Sequence, residues 1–203
     1  MICGFKTLFL FLSGDMIMKK LIPLNVPWMI SPSMANLKLM SEENGRTLVQ
    51  FFGLFGFEPL DEKEATKSDL GHGTRGLKLD PSVKGGRHQL ISLVFKNVGW
   101  LLRNPQHSDR DVIDETMFDW SNIRGRIGVG EGVAEWQKRC LMEWNNTRIA
   151  PNPSAYIVSN SDWNAREAEQ WRLKHYLVLG ESSSIEVLAE DFEWVSEGAI
   201  SGW

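Results

Sequence analysis

Arg75, Lys78, Lys84 and Arg87 lie among glycines between His72 and His88. In such a mixture, backbone N–H groups and cationic side chains can approach phosphates closely. Gly71-His72-Gly73-Thr74-Arg75-Gly76 lacks the Gly-Lys-Ser/Thr ending of a nucleotide-binding loop, and no strand pattern precedes it. Contact with a phosphate backbone is therefore the chemistry this segment offers, and a solvated basic loop is its plainer reading.

A second group, Arg103, His107 and Asp111 with Asp109 nearby, puts a guanidinium, an imidazole and carboxylates around one helix entrance. That set would suit a small hydrolase or nuclease, in which an arginine holds a phosphate and a histidine moves a proton. The competing reading is structural, because aspartates at the start of a helix cap its N–H groups and complement its positive end. No Ser-His-Asp order stands out, and His175, on an apolar face, reads as a satisfied core histidine. No Cys/His cluster has zinc spacing, so neither metal nor cofactor is expected. Cys3 and Cys140 are the two cysteines, far apart in the chain, which argues against a disulfide framework and for a reducing cytoplasm.

The elements that would position these groups read as helices. Leu48, Phe51, Phe52 and Phe55 recur at helical spacing after Ser41, and Leu90, Ile91, Val94, Phe95, Val98, Leu101 and Leu102 do so from His88 to Arg103. Further helices are predicted from Ser108 to Gly125, around Val133 to Trp144, from Ser161 to Leu179, and from Ser183 to Val195. Only Ala155-Tyr156-Ile157-Val158 reads as a short strand or packed loop. The expected fold is all-α: an irregular globule of about six amphipathic helices with one long glycine-rich basic loop.

Residues 41–203 form the expected single helical domain. Pro23, Pro27 and Pro32 break the periodicity of 18–40, which reads as an extended arm. Residues 1–17 read as an upstream extension, because Met18-Lys19-Lys20 resembles an ordinary bacterial translation start. The apolar run from Phe5 to Leu12 is too short to span a bilayer, so no membrane association is expected.

A formal net charge of −4 at pH 7 gives no bulk affinity for nucleic acid. Nine tryptophans are the compositional anomaly, since indoles bury large areas and supply binding hot spots. Trp120, Trp136, Trp144 and Trp171 fall on apolar helical faces and are assigned to the core. Trp28, Trp194 and Trp203 do not, and become the interface candidates. The functional expectation is a non-enzymatic cytoplasmic protein that binds a protein partner through exposed tryptophans and the 72–88 basic loop. A nucleic-acid-associated subunit using Arg75, Lys78, Lys84 and Arg87 is the alternative.

Overall fold

The computed structural model describes residues 18–31, 36–41, 46–55, 57–59, 77–79, 88–104 and 113–199, with 57–59, 77–79 and 199 described through their backbone alone. It is a β protein, and the all-α expectation is overturned. A nine-stranded sheet curls into a half-barrel. Its strands are β1 (Lys19–Pro23), β2 (Trp28–Ile30), β3 (Lys38–Ser41), β4 (Thr47–Phe55), β7 (His88–Arg103), β8 (Phe118–Asp119), β9 (Ala155–Ser159), β10 (Lys174–Leu179) and β11 (Ser184–Ala199). The pair β5 (Phe57–Pro59) and β6 (Leu77–Leu79) forms a separate antiparallel ribbon. The described helices are α1 (Val133–Thr147) and α2 (Ala165–Gln170), with a 3-10 turn at Glu115–Met117.

Across the sheet the order is β2-β4-β7-β11-β10-β9-β1-β8, and β3 shares the outer edge of β4 with β2. Every pairing is antiparallel except β1 with β8. Pro23 ends β1 and Pro27 precedes β2, so the described part of 18–40 is extended around those prolines. It is nevertheless woven into the sheet at three places rather than laid over a finished body.

Strands β7 and β11 are the spine, each 16 residues long and paired from Gln89↔Ala199 to Arg103↔Ile185. Their register shifts twice, with Gly99 the extra residue on β7 and Glu197 the extra residue on β11. Such bulges bend a long ribbon and increase its twist, which is how a sheet of this length curls. Gly198, at φ 108°, sits beside the second shift, where a side chain would be strained.

Both faces of the sheet are covered in places. Trp28, Phe51, Ile91, Leu93, Phe95, Tyr176, Ile185 and Val187 fill the concave side. Leu21, Phe118, Ile123, Tyr156, Val158 and Leu177 form a second cluster on the opposite side of β1, β9 and β10, under the 113–123 segment. Each fully buried large side chain contributes about 1.5–3 kcal/mol.

This double burial explains the helical misreading. In β7, Ile91, Leu93 and Phe95 point inward, yet Ser92 and Val94 on the other face are also buried. A strand covered on both faces loses its polar/apolar alternation, and the remaining run mimics helical spacing. In β11, Ile185, Val187, Leu188 and Ala189 do the same. The predicted 161–179 helix divides into the short α2 and the strand β10. Helix α1 forms as predicted, and 155–159 is a strand.

Candidate interaction surface

Most of the sequence-derived charged candidates, Arg75, Lys84, Arg87, His107 and Asp111, lie outside the described residues, as does Trp203. Lys78 is on β6, where only the backbone is described. Arg103 ends β7 and is exposed.

The tryptophan assignments change places. Trp28 is completely buried, packed against Phe51 at 5.0 Å and edge-on to Trp194 at 6.2 Å between ring centroids. It is a core residue of β2 and presents nothing to a partner. Trp194 on β11 is 37% exposed. Trp144 and Trp136 are anchors of α1, their indole N–H groups donating to the carbonyls of Pro27 at 3.0 Å and Gly125 at 2.9 Å. Trp171, expected in the core, is 55% exposed.

Trp171 owes its position to the segment that crosses the outer face of β7, β11 and β10. Register places Trp100, Leu188 and His175 in one row on that face and Leu102, Glu186 and Leu177 in the next. Helix α2 ends at Trp171, and Arg172 at φ 56° turns the chain into β10. The Trp171 ring then stacks on Trp100, centroids 5.4 Å apart and planes inclined by 22°. Gly99 lies under the same segment, where a Cβ would stand 2.7 Å from Leu173 Cδ1 but at an ordinary 3.8 Å from the Trp171 ring. Leu102, beside the pair, is 45% exposed. The result is an apolar platform of two stacked indoles and a leucine on a rigid sheet.

His175 lies in the same rows. Its Nδ1 is 2.7 Å from Ser161 Oγ, and its Nε2 is 3.0 Å from Glu186 Oε2. This second contact does not meet hydrogen-bond geometry, so Nε2 stays without a hydrogen bond among the described residues. Serine, histidine and carboxylate are the residue types of a nucleophilic triad. Here, however, Ser161 Oγ already accepts the Trp163 N–H at 3.2 Å, and the imidazole is buried beneath the Trp163 ring. A general base must reach a substrate proton, and this ring is covered. The set ties the 160–164 turn to the sheet, together with Lys19 at 2.7 Å from Asp162. That lysine holds the Asp162 carboxyl below the usual range. His175 is thus a buried histidine on a strand, bonded through Nδ1 to Ser161 but with Nε2 making no hydrogen bond among the described residues, so the expected satisfied core histidine is met at one ring nitrogen only.

Among the described residues no group of His, Cys, Asp and Glu could hold a metal ion. Cys140 is a free thiol whose burial raises its pKa, the opposite of an activated nucleophile. No helix among the described residues is long and apolar enough to cross a membrane. No family model, no curated protein and no solved structure matches the chain.

A helical period puts Trp171 on an apolar face and leaves Trp100 off the 88–103 stripe, so it does not bring the two indoles together. A period of two would have put Trp100 and Leu102 on one face, but Trp171 reaches them only through the αL turn at Arg172. No local sequence signal marks that turn, since arginine is not a usual αL residue.

Proposed function

We propose that this chain works by binding a protein partner, with the stacked pair Trp100 and Trp171 and the adjacent Leu102 as its anchor. The observation that carries this reading is an indole more than half exposed yet held in one orientation by stacking. Rigid aromatic anchors of this kind contribute most to binding energy at protein interfaces, because little side-chain freedom is lost when they are covered. Covering the open part of Trp171, on the order of 100 Å², is worth about 2.5 kcal/mol, or roughly 70-fold in affinity.

A protein fits this surface better than a nucleic acid. Glu186 stands directly across from Leu102 on the same face, which puts a carboxylate beside the indoles. Phosphates gain little from such a neighbourhood. The free thiol of Cys140 supports a cytoplasmic setting.

The test is affinity capture from an extract of the native host, comparing the full chain with its Trp171→Ala variant after nuclease treatment. The same proteins should be retained by the unaltered chain despite the nuclease and lost with Trp171→Ala. Equal capture by both forms, or release of everything by nuclease, would contradict the reading.

A further inference from the structure

A second exposed apolar element lies away from the indole platform, on the loop leading into α1. Gly128-Val129-Gly130-Glu131 is a tight turn closed by the Glu131 N–H donating to Gly128 O at 3.1 Å, with Gly130 at φ 78° supplying the left-handed corner. Val129 at the apex is fully exposed, and Ile127 and Val133 on either side are 52% and 61% exposed.

Side-chain bonds from α1 hold this loop in one shape. Arg139 donates to both carboxylate oxygens of Glu131 at 2.7 and 2.8 Å and to the carbonyls of Arg124 and Arg126 at 2.5 and 2.9 Å. Glu131 also accepts the Gly128 N–H at 2.8 Å, and Glu135 accepts the Gly132 N–H at 3.3 Å. The base is anchored by Gly125 N–H donating to Pro151 O at 3.0 Å. A loop ordered in advance loses little conformational freedom when it docks.

The charges around the tip cancel within the chain. Arg124 pairs with Glu143 at 2.8 Å, Arg126 with Glu115 at 3.1 Å while lying over the Trp120 ring, and Arg139 with Glu131. An anionic lipid surface or a phosphate backbone is recognised by uncompensated cations, whereas the three arginines that brace the tip are each paired within the chain. What the tip complements is an uncharged apolar cavity the size of a few aliphatic side chains.

We infer that the 124–133 loop is a preformed apolar finger that inserts Val129, flanked by Ile127 and Val133, into an uncharged apolar pocket of a protein partner. This assignment stands independently of the indole platform. Burial of one valine of this kind is worth about 10- to 100-fold in affinity.

The experiment uses random disulfide-closed peptides displayed on phage and panned against the immobilised full chain. The recovered peptides should be apolar and uncharged, and their affinity should change less than about 2-fold between about 0.1 M and about 1 M salt. Val129→Asp and Ile127→Asp, both at exposed positions, should each weaken them at least about 10-fold. Arg139→Ala should weaken them while leaving Val129 in place, and Trp171→Ala should leave them unchanged. Charged peptides, or binding indifferent to Val129→Asp, would overturn the inference. So would self-association in sedimentation velocity that Val129→Asp abolishes, which assigns the finger to a second copy, or flotation with phosphatidylcholine vesicles, which assigns it to a lipid surface.

Discussion

Truncating Trp28 separates the β arrangement from a helical one, because only the sheet encloses that side chain. Trp28 has no exposed surface and packs against Phe51 and Trp194 on the concave side. Replacing a buried tryptophan by alanine costs about 3–5 kcal/mol, from lost transfer energy and from the cavity left behind. An exposed tryptophan on an arm would cost within about 0.5 kcal/mol. For a chain of this size a urea slope of about 2.5 kcal/mol per molar converts a 4 kcal/mol loss into a midpoint about 1.6 M lower. Trp28→Phe keeps an aromatic ring against Phe51 and removes an indole N–H that has no acceptor among the described residues. Its cost should stay below about 1.5 kcal/mol, a midpoint shift under about 0.6 M. The assay is equilibrium urea unfolding followed by far-ultraviolet circular dichroism. A Trp28→Ala midpoint within about 0.3 M of the unaltered chain would refute the enclosure of Trp28 and with it the curled sheet.

Three further outcomes follow from individual side chains. Tyr156 donates its hydroxyl to Asn152 Oδ1 at 2.6 Å, whereas the buried Tyr176 hydroxyl has no partner among the described residues. Tyr156→Phe should therefore lower stability by about 1 kcal/mol and Tyr176→Phe should leave it unchanged or raise it, as read from thermal unfolding. Gly53→Ala on β4 would place a Cβ 2.6 Å from Ile91 Cγ1, and the overpacking should cost about 1–3 kcal/mol in the same measurement. The bonds from Arg139 and the Gly128 N–H hold the Glu131 carboxyl well below its ordinary 4.5, at about 2. With a depressed folded-state value, the clamp's contribution is full above pH 4.5 and is lost as pH falls toward 2. The protection factor of the Gly128 amide, its rate relative to that of an unstructured amide at the same pH, should accordingly be high at pH 5 and fall near pH 2; equal protection factors at both would show that the clamp does not order the loop.

What could be read directly from the sequence was whatever depends on local spacing alone. Helix α1 was readable because Val133, Trp136, Cys140 and Trp144 form one stripe on a surface helix, and 155–159 was readable because prolines and a turn isolate it. Strands β4, β7 and β11 were not readable, since long-range pairing buries both of their faces and supplies the apolar residues that a helical period also accepts. Leu90-Ile91 and Val94-Phe95 seemed to exclude a strand only on the assumption that one face stays wet. Trp28 and Trp171 were exchanged for the same reason. Neither position can be judged until β2 is known to pair with β4 and until the αL turn at Arg172 is known to fold Trp171 onto Trp100. The braced loop was visible only as a glycine-rich turn, because Arg139 reaches it from α1, 8 residues further along the chain than Glu131.

The most direct measurement for the binding surface is oxidative footprinting of the full chain, alone and in extract of its native host, with modification read residue by residue. Trp171 and Leu102 should be modified readily in the free chain and protected in the extract, while Trp28 stays unmodified in both. If Trp171 is oxidised equally in both conditions while protection falls elsewhere, the indole platform is not where this protein meets its partner.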